Sequence, residues 1–134
     1  VQTPLRGNGI LMDDAYNANP DGVAYALQQL RRYPGRKIVV LGDMLELGDF
    51  AAEAHQQVVG QALDAGVDLM VTVGQHTKGM AYDGDAMWLS HFDSKAALTA
   101  LLLDEIKPGD VILVKGSRGM KMEEIVDSVK EKWA

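Results

Sequence analysis

Four strand-length apolar runs, set apart by segments of helical period, constrain this chain more than any other feature. Residues 9–13 (GILMD), 37–42 (KIVVLG), 69–74 (LMVTVG) and 111–115 (VILVK) are apolar almost without interruption. A strand with one wet face alternates polar and apolar residues; an unbroken run needs cover on both faces, as in a parallel sheet between helices. Residues 86–90 (AMWLS) form a weaker candidate, expected near a sheet edge. Between the runs, Val23, Ala26, Leu27 and Leu30 form one helical stripe, Val58, Val59, Ala62 and Leu63 a second, and Leu98, Leu101, Leu102 and Ile106 a third. Met122, Ile125, Val126, Val129 and Trp133 mark a last helix. Asn19 is placed to cap the first helix with Pro20 at its first position, Asp93 to cap the third, and Gly35 and Gly66 to end the first two. Right-handed crossovers then predict an α/β fold, a Rossmann-like three-layer αβα sandwich with an open, mainly parallel sheet.

The chain has 134 residues, enough for one domain that buries about 65–70% of its unfolded surface. Residues 9–134 read as that domain, and residues 1–8 as residual interdomain linker. A start at Val1 without an initiator Met fits a domain cut from a longer chain. With 13 Lys and Arg against 19 Asp and Glu, the net charge of −6 disfavours broad contact with nucleic acid or an anionic membrane surface. No cysteine is present, so disulfides and thiolate metal sites are excluded, and a cytoplasmic location is the expectation. The histidines lack the spacing of metal ligands, and no metal site is expected.

Ligands of open parallel sheets sit beyond the carboxyl ends of the strands. Three polar, Gly-rich segments follow those ends. The first packs Asp13, Asp14, Tyr16, Asn17 and Asn19 into seven residues. A carboxylate there can accept from both hydroxyls of a ribose, and amides can donate and accept at once. The second, GDMLELG at residues 42–48, frames two acids with glycines and reads equally as a binding loop or an ordinary βα turn. The third, KGSRG at residues 115–119, sets Lys115, Ser117 and Arg118 where a helix is expected to start, a seat for a carboxylate or phosphate. His55 falls at the margin of a buried helical face and reads as a structural residue. No Gly-x-x-x-x-Gly-Lys-Ser/Thr occurs, and no Gly-x-Gly-x-x-Gly follows a strand. If the domain handles a nucleotide, another domain must hold the phosphates.

In order and spacing, Asp13-Asp14-Ala15-Tyr16-Asn17-Ala18-Asn19-Pro20, Leu41-Gly42-Asp43-Met44-Leu45-Glu46-Leu47-Gly48 and Lys115-Gly116-Ser117-Arg118-Gly119-Met120-Lys121-Met122-Glu123 resemble the C-terminal domain of the Mur ligases. The likeness is greatest to the branch that joins D-alanyl-D-alanine to UDP-N-acetylmuramoyl-tripeptide, and it runs from about Gly9 to the end of the chain. It implies the last of three domains in an ADP-forming amide ligase of peptidoglycan synthesis. ATP would phosphorylate the precursor's carboxylate, and the dipeptide amine would attack the acyl phosphate. By the same resemblance, Asp14, Tyr16 and Asn17 bind nucleotide, and Asn19, Lys115, Ser117 and Arg118 face the substrate. The P-loop lysine and the Mg²⁺ ligands belong to a central domain, so this chain alone carries no catalytic residue and is expected to be inactive. Arg6 stands too near Asp14 in sequence for the family's phosphate-contacting basic residue.

Two other readings of the fold are open. A phosphorylatable receiver domain shares the acid pair and the terminal Lys, but needs its acceptor Asp at the end of the third strand, where this chain has Val73-Gly74. A free-standing α/β module that binds a small molecule or partner is the alternative, which the absence of a P-loop equally permits.

Overall fold

The computed structural model describes residues 1–14 and 18–134. Among them, six strands form one sheet in the order β1-β2-β6-β3-β4-β5. The strands are β1 (Gln2–Leu5), β2 (Gly9–Asp14), β3 (Lys37–Gly42), β4 (Leu69–Val73), β5 (Trp88–Phe92) and β6 (Val111–Lys115). β1 pairs antiparallel with β2, and every other neighbouring pair is parallel. Helices α1 (Pro20–Leu30), α2 (Ala51–Asp64), α3 (Lys95–Glu105) and α4 (Glu123–Trp133) complete the domain.

The unbroken apolar runs are explained by cover on both faces. Met12, Val39, Leu41, Met70 and Leu113 point to the face packed by α1 and α2, with Val23, Leu27, Val58 and Ala62 against them. The alternate residues Leu11, Ile38, Val40, Val71, Ile112 and Val114 point to the other face, under Leu98 and Leu102 of α3 and Ile125 and Val129 of α4. Two cores separated by one sheet are the three-layer sandwich that the runs predict.

Several boundaries differ from expectation. Gln2–Leu5, read as linker, is the edge strand β1. It holds Leu5 against the α3/α4 core, and Pro4, which has no N–H to give, is tolerated because the strand is an edge. The weak strand near residues 86–90 lies at the opposite edge, two residues later, because pairing begins where the Trp88 amide donates to the Asp68 carbonyl. Asn19 caps α1 as expected: its Oδ1 accepts from the Gly22 amide at 2.7 Å, with Pro20 at the first turn. Asp93 does not cap α3. Ser94 does, its Oγ accepting from the Ala97 amide at 3.1 Å.

At the amino ends of β3 and β6, the Arg36 guanidinium meets the buried Asp110 carboxylate at 2.7 Å. That hydrogen bond holds the Arg36 proton more tightly than usual. Arg6 is also occupied at that end, donating to the Lys132 carbonyl and lying over the Trp133 ring. Across the α3/α4 face, Lys95 donates to Glu124 at 2.7 Å and pulls the Glu124 carboxyl below its ordinary range.

Candidate functional site at the carboxyl end of the sheet

β2, β3 and β6 are neighbours in the sheet but distant in sequence, so their three loops meet at the switch between β6 and its two partners. Met122 plugs the floor beneath them. It sits so close that a Cβ on Gly42 would meet its sulfur at 2.7 Å and one on Gly116 its Cγ at 2.3 Å, so a side chain at either position would have to displace the buried Met122.

Ser117 joins all three loops. Its amide donates to the Asp43 carbonyl at 3.1 Å, its Oγ accepts from the Leu45 amide at 2.9 Å, and the same hydroxyl donates to the Ala18 carbonyl at 3.3 Å. Expected to face substrate, Ser117 thus spends its hydroxyl proton on the fold. The adjoining amide of Met44 donates to His55 Nε2 at 2.9 Å, while His55 Nδ1 lies 2.6 Å from the Ala51 carbonyl. A carbonyl only accepts, so the ring takes the Nδ1–H tautomer and braces the loop from below. Asp43, one of the two acids in that loop, is structural. Its carboxylate is 3% exposed and accepts from the Gln75, His76 and Thr77 amides at 2.9, 3.0 and 2.9 Å. Gly74 makes this possible, for at φ +132° a Cβ there would lie 2.1 Å from Asp43 Oδ1.

Lys115 and Asp14 are register partners on β6 and β2. The Lys115 side chain is 2% exposed, and its Nζ lies 2.5 Å from Asp14 Oδ2. Asp14 itself is 52% exposed. Lys115, expected to meet substrate, is placed under α1 beside Gly22 instead of at the surface. Tyr16 and Asn17, expected on the nucleotide side, lie outside the described residues.

What remains open to solvent is a cleft of about 320 Å³ lined by Ala18, Asn19, Leu45, Glu46, Ser117, Arg118 and Gly119. The sequence expectation brought Asn19, Ser117 and Arg118 here and left out Glu46, whose only signal was the glycine-framed loop. Glu46 holds φ +64°, a strained backbone for a residue with a Cβ. The helix N-terminus expected behind Arg118 is not built: residues Arg118–Met120 form a 3-10 turn whose following amides are used internally, and α4 starts only at Glu123. An anion in the cleft would therefore meet the Arg118 side chain. The cleft offers a cation, a carboxylate and an amide around a small polar ligand, a set suited to a zwitterion. On the far side of Asp14, a second depression of about 370 Å³ is lined by Gln2, Met12, Asp13, Asp14, Gly22 and Tyr25, among others.

Sheet, switch point and polar cleft together define a Rossmann-like α/β domain of the kind that holds small ligands at the carboxyl ends of its strands. Residues 2–118 match the family described as Mur ligase, glutamate ligase domain, and the chain belongs to that family. The UDP-N-acetylmuramoyl-tripeptide--D-alanyl-D-alanine ligase of Escherichia coli is 39% identical over 129 residues, covering 95% of this chain and 28% of that protein. The Bacillus subtilis enzyme of the same name is 36% identical over 128 residues, covering 90% and 28%. A crystal structure of MurF from Acinetobacter baumannii superposes with a TM-score of 0.85 at 29% identity, covering 98% of this chain and 29% of that one. MurF ligase from Thermotoga maritima, in complex with ADP, gives 0.83 at 25% identity, covering 98% and 30%. The chain thus spans 28% of the length of these curated relatives.

Proposed function

We propose that this chain is the C-terminal domain of an ATP-dependent, ADP-forming ligase that joins D-alanyl-D-alanine to UDP-N-acetylmuramoyl-tripeptide in the cytoplasmic stage of peptidoglycan synthesis. One observation carries the reading: in a chain of this family, Asn19, Glu46, Ser117 and Arg118 converge on a single cleft at the switch of a parallel sheet. In the reaction, the precursor's terminal carboxylate attacks the γ-phosphorus of ATP, giving an acyl phosphate and ADP. The dipeptide amine then attacks the acyl carbon, and inorganic phosphate leaves with the C–O bond as the amide forms.

The residues of this chain bind and orient. Arg118 pairs with the dipeptide carboxylate, and the Asn19 amide, with its Oδ1 committed to the α1 cap, still has N–H groups to offer. Asp14 accepts from the ribose of ATP, and Tyr16 and Asn17 are assigned to the same nucleotide. Ser117 belongs to the substrate side through the loops it holds together, and Lys115 stands beneath the strand ends, paired with Asp14. Phosphates and Mg²⁺ are assigned to the central domain of the full ligase. Among the described residues no group of three or more His, Asp or Glu could hold a metal ion. When bound, Mg²⁺ would offset phosphate charge, and closure of the domains would bring amine and acyl phosphate together.

Because each ligand would be gripped by two domains, the 134-residue chain by itself should bind ATP only weakly, with a dissociation constant on the order of millimolar. Isothermal calorimetry of the isolated chain checks this. Micromolar ATP binding would replace the one-walled site with a self-sufficient binding module.

A further inference from the structure

We propose that Lys115 is a positioning residue for the nucleoside end of the site, acting through Asp14, and does not meet the second substrate. The inference rests on the proposed nucleotide role of Asp14. A lysine that is 2% exposed must have its charge compensated, and among the described residues its one ion-pair partner is Asp14, at 2.5 Å. The pairing is built into the sheet, since Asp14 and Lys115 are opposed in the β2/β6 register.

The two partners are unequal in a way that matters. Lys115 is sealed beneath the first turn of α1, where the position of a Cβ on Gly22 would lie only 3.7 Å from Nζ. Asp14 is 52% exposed, and the ammonium engages one of its two oxygens, Oδ2. The buried cation therefore fixes the rotamer of a solvent-facing carboxylate, leaving Oδ1 available to accept from a hydroxyl pair. Tyr25, 64% exposed, and Gly22 line the depression beside Asp14, so the fixed carboxylate stands at the edge of a space with one aromatic wall. The chemistry that fits is a vicinal diol on a sugar that bears a flat ring, the nucleoside portion of a nucleotide.

The consequence is directional. Loss of Lys115 should act on nucleoside affinity only as far as Asp14 does. The experiment is an NMR titration of the 134-residue chain with ADP, paired with urea denaturation, for Asp14→Asn, Lys115→Met and the double variant. Asp14→Asn should weaken ADP binding and destabilise the chain, because it strands a buried ammonium. Lys115→Met, which fills the same space without charge, should weaken ADP binding about tenfold, the order expected when a hydrogen bond to a charged group is lost. In the Asp14→Asn background, Lys115→Met should change affinity no further and should recover stability. Lys115→Gln, which keeps a donor but no charge, carries the same prediction if the Met variant fails to fold. If Asp14→Asn leaves ADP binding intact, the nucleotide reading of Asp14 fails. If Asp14→Asn weakens binding but the Lys115 variants do not, the positioning role alone is overturned. Full additivity of the two losses would overturn it as well.

Discussion

Asp43 carries a carboxylate into a site that is 3% exposed and recovers the cost of its desolvation from three backbone amides. Those amides belong to the turn after β4, so one side chain fixes two of the loops around the carboxyl end of the sheet. Asp43→Ala should cost about 3 kcal/mol, because it leaves the Gln75, His76 and Thr77 amides without an acceptor. Urea denaturation checks this; a loss under about 1 kcal/mol would mean that water replaces the carboxylate. Asn19, Ser117 and Arg118 were legible in sequence as residues of the cleft, but Glu46 was not, nor were the partners that turn each side chain. Asp43 and Glu46 are two acids three positions apart in one glycine-framed loop, and nothing local says that the first turns inward under Gly74 while the second faces the cleft. Lys115, Ser117 and Arg118 likewise sit side by side. The pleat of β6 and the burial at its end turn Lys115 toward Asp14, Ser117 into the loop junction and Arg118 outward, a division set by partners about a hundred residues away in the chain.

Among the elements, those defined by their own residues were the legible ones. β2, β3, β4 and β6 are apolar along most of their length because both faces are covered, and α1 begins at Asn19-Pro20 because cap and first-turn residues are adjacent. Elements defined by a neighbour were harder to read. β1 has four residues with Pro4 among them and becomes a strand only against β2, while β5 takes its start from the Asp68 carbonyl. The cap of α3 shows the limit at single-residue resolution. Asp93 and Ser94 are both good capping types, and the choice falls to Ser94, which has the extended backbone, φ −140° and ψ 150°, at the point where β5 gives way to the helix. Ser94→Ala should therefore cost about 1 kcal/mol, whereas Asp93→Ala should stay within about 0.5 kcal/mol. Thermal or urea unfolding of the two variants distinguishes them, and the reverse order would return the cap to Asp93.

At the scale of the whole molecule, the sheet order places β6 between β2 and β3, and that insertion gathers the three loops into one cleft. The rhythm of the sequence predicted the open parallel sheet but not this order, which rests on contacts between β6 and strands far earlier in the chain. The resulting cleft presents Arg118, Glu46 and Asn19, and the proposed function gives it a small zwitterion and gives the neighbouring depression beside Asp14 a nucleoside; the sequence has no Gly-x-x-x-x-Gly-Lys-Ser/Thr for the phosphates. Such a surface works by closing on another. In the three-domain ligase proposed to contain this chain, each ligand should answer to its own residue. The most direct measurement is the steady-state KM for both substrates in that ligase with Arg118→Ala and with Asp14→Ala. Arg118→Ala should raise the KM for D-alanyl-D-alanine about tenfold or more, the loss expected for a charge-assisted pair, and leave the KM for ATP nearly unchanged. Asp14→Ala should do the opposite. Unaltered dipeptide kinetics in Arg118→Ala would contradict the assignment of the cleft to the incoming dipeptide.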